Sequence, residues 1–157
     1  MSATPTVETI DQLRPYVGQE LGVGAWLEIT QDRVNQFADV TGDHQFIHVD
    51  VERAAQTPIG GTIAHGFLTL SLLPFLGRDR DGVKVDLHPK MVLNYGLNRV
   101  RFVSPVKVGA RIRMRSALQA VDEVSPGVYQ LTYGQTVEIE GAERPAMVAE
   151  SLVRVYL

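Results

Sequence analysis

The chain has 157 residues, 45% hydrophobic and 21% charged, enough for one domain with a real core and unlike a disordered or collagen-like class. A net charge of -3 and a pI of about 5.8 argue against a general nucleic-acid binder. The absence of cysteine excludes disulfides, cysteine-ligated zinc and cysteine nucleophiles together. MSATPTVETIDQL shows neither a basic nor an apolar leader region. The longest apolar stretch, Gly66 to Gly77, falls short of the roughly 20 residues of a membrane span. The expectation is a cytoplasmic protein without membrane or nucleic-acid partners, forming a single domain over 1–157.

In chain order, Leu21 to Ile29 is apolar-rich and predicts a first strand. Thr30 is placed to cap a helix whose first turn carries Asp32, where a negative charge suits the helix dipole. Ile29 and Val34 hold the positions of a hydrophobic staple, Val34, Phe37 and Ala38 form one apolar stripe, and Gly42 ends the helix. Asp50 predicts a cap for a short helix over Val51 to Ala55. After the flexible Pro58–Thr62 loop, Ala64 to Leu76 is apolar almost all round, as a buried central helix should be, with Pro74 expected to kink or end it.

The second half reads as long antiparallel strands. Met91 to Val103 comes first; then Ile112, Met114 and Leu118 alternate with Arg111, Arg113 and Arg115, one face wet. Ser125-Pro-Gly127 turns the chain into a strand with Tyr129, Leu131, Tyr133, Val137 and Ile139 on one phase. Gly141-Ala-Glu-Arg turns it again into Met147 to Leu157. The sum is α+β, a curved antiparallel sheet wrapped around a central helix. Within Met91 to Val103 the apolar phase changes near Gly96, which predicts a β-bulge and puts Asn98 on the buried face with Val100 and Phe102.

The stretch TGDHQFIH, Thr41 to His48, carries the sharpest chemistry. Asp43 and His48 are five residues apart, about 500° around a helix and on opposite sides of a strand. They can meet only across a turn or irregular loop. His65-Gly66 then opens the buried helix, and backbone N–H groups at a helix start can hold an oxyanion. Gly66 has no side chain to obstruct such an approach. An acid, a base and an oxyanion donor are the parts needed for chemistry beside a carbonyl.

F-A-D-V-T-G-D-H-Q-F-I-H-V-D-x-E-R-A, followed by G-G-T-I-A-H-G-F, resembles the MaoC-like dehydratases, the (R)-specific enoyl-CoA hydratase group of the hot-dog fold. N-Y-G-L-N-R-V-R-F-x-x-P is similar to the nodulation-protein-N-like branch of that family. The resemblance runs in order over nearly the whole chain. It implies a sheet wrapped on a long helix, and a homodimer whose sheets join and whose active sites lie near the subunit interface. It implies a hydro-lyase acting on an acyl-CoA or acyl-carrier-protein thioester, with no cofactor and no metal. By position, Asp43 and His48 match the catalytic acid/base pair, and Gly66 the glycine whose N–H polarises the thioester carbonyl. Gln45 and Phe46 stand where the family usually has Asn and Pro, a change bearing on loop rigidity and substrate preference.

Further candidates for substrate binding are Phe46, His65, Phe67, Asn98 and Arg99, with Leu68 and Leu72 expected to set the depth of an acyl pocket. Arg99 and Arg101 are better placed than the Arg111/Arg113/Arg115 row to meet the phosphates of CoA; His44 and His88 read as surface residues. Three rival readings remain: a hot-dog thioesterase, although Ala64 to Leu76 contains no Asp or Glu; a metal enzyme using Asp43, His48 and His65; and a non-catalytic acyl-thioester-binding module.

Overall fold

A computed structural model describes residues 4–157. Its first part is built from short pieces: β1 (Thr6–Val7), α1 (Ile10–Leu13) with a following 3₁₀ turn, β2 (Glu20–Val23), β3 (Leu27–Glu28), α2 (Gln31–Thr41), α3 (Phe46–Val49) and α4 (Val51–Ala55). The central helix is α5 (Gly66–Ser71) and α6 (Leu73–Leu76), followed by the short β4 (Asp81–Gly82) and β5 (Lys84–Val85). Four long strands close the chain: β6 (Met91–Phe102), β7 (Arg111–Ser125), β8 (Val128–Ile139) and β9 (Met147–Tyr156). One seven-stranded sheet runs β4-β2-β7-β8-β9-β6, with β3 also paired to β7, while β1 and β5 pair separately. Among the described residues, no helix is long and apolar enough to cross a membrane.

The expected α+β architecture holds, and several local signals act as read. Thr30 accepts the Arg33 N–H, and Gly42 ends α2 in the left-handed region at φ 78. Ile29 and Val34 are wholly buried, as a staple requires. Asp50 caps α4 by accepting from Arg53 N–H at 3.0 Å. The Arg111, Arg113 and Arg115 row is on the wet face, but it is occupied: these arginines pair with Glu140, Glu138 and Glu20. His44 and His88 are exposed, as expected.

Two expectations are corrected and a third is met. The predicted strand Leu21–Ile29 is broken into β2 and β3 at Gly24, whose N–H donates to the Met114 carbonyl at 2.8 Å. The backbone there passes so close to the end of α6 that a Cβ on Gly24 would collide with the Leu76 carbonyl. The central helix is interrupted near its end, as Pro74 leads one to expect. Pro74 lacks the N–H that would bond to Leu70, so the ladder restarts after Leu72. Finally, Asn98 is exposed rather than buried, and its Nδ2 donates to Glu150 at 2.6 Å. The β6–β9 register shifts twice, between Asn94 and Gly96 and between Leu97 and Arg99. Tyr95 and Asn98 are thus two extra residues, and each one flips the inward phase.

The inner face of the sheet carries two apolar clusters. One packs Leu68, Leu72, Leu73 and Leu76 of the central helix against Ile112, Met114, Val137 and Met147. The other gathers Leu13, Leu21, Leu118, Leu131 and Val155 at the far end. The segment entering α5 is pinned beside residues 106–108: Ala64 N–H donates to Val106 at 2.8 Å, and Val108 N–H to Thr62 at 2.9 Å. That anchorage fixes where His65 and Gly66 stand.

Candidate active site

Asp43 and His48 do converge, by a route the spacing alone did not reveal. Gly42 reverses the chain out of α2, and Asp43 to Gln45 form a short turn in which Asp43 Oδ1 accepts the Gln45 N–H at 3.3 Å. The single helical turn of α3 then swings His48 inward, where it is buried. Side-chain ligand atoms of Asp43, His48 and His65 all lie within 4.8 Å of one another. A gap of that size is spanned by one water with hydrogen bonds of about 2.8 Å to either side.

Two imidazole–carbonyl hydrogen bonds set the protonation pattern. His48 Nδ1 is 2.7 Å from the Ile63 carbonyl, which can only accept, so Nδ1 carries a proton, and in the neutral ring the lone pair is on Nε2. His65 Nε2 likewise donates to the backbone carbonyl of Asp43 at 2.9 Å, which in the neutral ring leaves the lone pair on its Nδ1. That Nδ1 is buried without a partner. The two rings stack at 3.8 Å between centroids and 23° between planes, with Phe37 tilted against His65 at 4.9 Å. By distance the three ligand atoms could equally hold a metal ion, while the stacked His65 ring gives His48 an aromatic support.

Gln31, which the sequence reading did not single out, joins the elements that carry these groups. Its Nε2 donates to the His48 carbonyl at 2.7 Å, and its Oε1 accepts the buried Thr62 hydroxyl at 2.6 Å. Only its place one residue after a cap hinted at an inward role. Gly66 begins α5, and its N–H has no backbone acceptor among the described residues; His65 supplies no side-chain cap either. A Cβ on Gly66 would lie 3.0 Å from the Phe102 ring, so glycine lets that ring pack closely against the start of α5. Phe67, 68% exposed, meets Phe102 edge-on at 5.9 Å.

The remaining candidates are not gathered here. The Phe46 ring is covered by the Arg53 guanidinium at 3.9 Å. Leu68 and Leu72 belong to the buried core rather than to an open pocket. Arg99, with Arg101, lines a shallow hollow with Gln119, Thr136 and Glu150, on the opposite face of β6 from Phe102. Asn98 lies near it, bonded to the same Glu150. The open cavity, about 570 Å³, instead runs along Leu70, Leu73, Pro74 and Gly77 beneath β6.

Residues 13–139 match the MaoC like domain. The chain belongs to this family. It is 52% identical to 3-hydroxyacyl-thioester dehydratase Z of Mycobacterium tuberculosis over 149 residues, 95% of this chain and 97% of that one. It is 51% identical to Nodulation protein N of Rhizobium leguminosarum bv. viciae over 134 residues, 85% of this chain and 82% of that one. Among solved structures, the (R)-hydratase from A. caviae involved in PHA biosynthesis superposes with a TM-score of 0.65 at 27% identity, covering 85% of this chain and 95% of that one. The architecture of this MaoC-like chain is accordingly the hot-dog fold.

Two predictions follow from the geometry. In long-range nitrogen–proton NMR spectra of the neutral protein, His48 shows a protonated Nδ1 and His65 a protonated Nε2; the same tautomer at both would contradict the two carbonyl bonds. Gln31→Leu leaves the buried Thr62 hydroxyl and the His48 carbonyl unmatched, which costs about 1–3 kcal/mol in urea unfolding. A change under about 0.5 kcal/mol would mean that Gln31 does not hold these elements.

Proposed function

We propose that this MaoC-like domain is an (R)-specific enoyl-CoA hydratase, or in reverse a 3-hydroxyacyl-thioester dehydratase, adding water syn across a trans-2-enoyl thioester. The observation that carries the reading is His48, its Nδ1 committed to the Ile63 carbonyl and its ring within one water's span of the Asp43 carboxylate. The named dehydratase relative and the (R)-hydratase structure support the same reaction class.

In this reading the thioester carbonyl accepts a hydrogen bond from Gly66 N–H, which withdraws charge from the conjugated C3. A water between Asp43 and His48 gives up a proton to one of them as its oxygen bonds to C3. The pair then passes that proton on to C2, and the carbonyl regains its double bond, so both groups end in the state in which they began. Acid and base occupy one side of the substrate plane, so addition is syn. The two groups act as a unit, and neither proton is assigned to one of them alone. The chemistry needs no metal or cofactor, because the thioester itself stabilises the developing enolate and a positioned backbone donor strengthens that effect.

We assign the substrate as a thioester of CoA or acyl carrier protein and the working form as a cytoplasmic homodimer of single MaoC-like domains. The edge strand supports the dimer. β6 has a neighbour on one side only, yet Met91, Val92, Leu93, Tyr95 and Leu97 are all exposed on it. A long apolar edge is a surface that proteins normally cover. Phe67 and Phe102 extend it to the mouth of the Gly66 site.

Loss of either partner is expected to reduce hydration of crotonyl-CoA, followed by the fading ultraviolet absorbance of the enoyl thioester. Asp43→Asn or His48→Ala should lower kcat by about 10²–10⁴-fold while circular dichroism shows a native fold. A folded Asp43→Asn protein with normal turnover would refute the mechanism. Sedimentation equilibrium should find a dimer, and Leu93→Asp with Leu97→Asp should shift it toward monomer; a monomeric wild type would overturn the edge-strand assignment.

A further inference from the structure

The two apolar clusters on the inner face of the sheet are separated by a polar belt. On β7 the inward residues run Ile112, Met114, Ser116, Leu118, and only Ser116 among them is polar. Ser116 stands opposite Gln135 on β8, and Tyr133, two residues along, stands opposite Ser151 on β9. Four hydrogen-bonding side chains thus form one patch across three neighbouring strands, where the rest of the face is apolar.

The belt is not satisfied from within. Ser151 is 9% exposed, and its hydroxyl has no partner; the buried Oε1 of Gln135 has none either. Buried polar atoms left unmatched are costly, and such sites are usually explained by a ligand, a water or a functional role. All four belt residues line the cavity of about 570 Å³, and Arg80 faces it from the segment after α6. Arg80 is half-buried; its Nε–H donates to the Val83 carbonyl at 3.2 Å. Among the described residues it forms no ion pair, since the nearby Asp86 sits with Lys84 and His88 instead. Burial pulls the Arg80 guanidinium below its usual pKa, the mark of a cation without a counter-charge.

The cavity lies along the same helix that Gly66 opens. Its wall begins at Leu70 and ends at Gly77, four and eleven residues after Gly66, or roughly 6 and 16 Å along a helix. Met114 abuts Gly77, and Ser116 is the next inward residue beyond it. A chain anchored by its carbonyl at Gly66 would be apolar alongside Leu70 and Leu73 and meet the belt and Arg80 at its far end. At about 1.2 Å per extended bond, 16 Å is roughly 13 bonds.

We infer that this cavity recognises the distal end of a medium-length acyl chain that bears oxygen there, with Arg80 pairing a terminal carboxylate and Ser116, Gln135, Tyr133 and Ser151 supplying hydrogen bonds. The substrate class is then an ω-carboxy-2-enoyl thioester rather than a plain fatty acyl one. This inference rests on the hydratase reading of the Asp43/His48 site.

The test compares trans-2-dodecenoyl-CoA with its ω-carboxy counterpart, using crotonyl-CoA as a substrate too short to reach the belt. The wild type is expected to favour the carboxylated chain by about tenfold or more in kcat/KM, as one charge-assisted hydrogen bond allows. Arg80→Met should bring that ratio to about one, and Gln135→Leu should reduce it in a protein whose fold does not depend on Arg80. Equal or better turnover of the plain chain by wild type, or an unaltered ratio in both variants, would overturn the inference while leaving crotonyl-CoA hydration to stand. If wild type hydrates no crotonyl-CoA, the reaction assignment fails separately. The cavity is then judged by calorimetric titration with dodecanoyl-CoA and ω-carboxydodecanoyl-CoA. Tighter binding of the carboxylated compound, lost in Arg80→Met, supports the inference; equal binding refutes it.

Discussion

A pair of crossed hydrogen bonds holds the candidate site together. His48, on the segment after α2, donates to the carbonyl of Ile63, while His65, on the segment entering α5, donates to the carbonyl of Asp43. Ile63 N–H returns a backbone bond to Ile47 at 3.0 Å. Each segment is irregular and could not hold its shape alone, since its backbone groups lack a ladder to join. Each is fixed because the other takes up its polar atoms. The same bonds choose the tautomers, so structure and proton inventory are decided together. The stacked rings then keep solvent off the side of His48 that faces His65.

This clamp bears on Gln45 and Phe46, which stand where the resembled pattern implies Asn and Pro. A proline would stiffen the Asp43–His48 turn by limiting backbone freedom in the unfolded chain. Here the turn is fixed from outside instead, by the His65 bond to Asp43 and the Gln31 bond to the His48 carbonyl. Phe46 gains cover from Arg53 rather than from ring geometry. Rigidity at this site is therefore a tertiary property, bought with buried hydrogen bonds.

The division between what was and was not legible in the sequence follows the range of the forces involved. Thr30, Gly42 and Asp50 act on their own or adjacent turns, so their roles could be read from neighbouring residues. The strand alternation of Ile112, Met114 and Leu118 was legible for the same reason: period two is a local signal. Asn98 defeats the alternation because Met91, Leu93 and Tyr95 are apolar yet exposed, so they mark the wrong face, and because Asn98 is itself the extra residue of a second bulge. The break between β2 and β3 comes from contact with α6, some fifty residues away in the chain. Gln31 was silent because its partners, His48 and Thr62, come near it only after folding. The polar belt was half visible: Ser116, Gln135 and Ser151 interrupt apolar phases, but nothing in one strand says that the interruptions line up across three.

Strand β6 draws these features into one. Its last residue, Phe102, packs over Gly66, the glycine proposed to bind the thioester carbonyl. Its middle, from Val92 to Leu97, roofs the cavity above the belt. Its outer edge is unpaired and apolar. The bulges at Tyr95 and Asn98 let a single strand do all three, because each bulge re-aims the residues after it. Covering that edge would therefore act on more than assembly. A partner laid along β6 would restrict the roof of the cavity and the position of Phe102 at once, so chain recognition and carbonyl polarisation would both depend on the same dimer contact. In such a design an isolated chain can fold and still be a poor catalyst, since the clamp at His48 and His65 is internal while the walls of the substrate site are not.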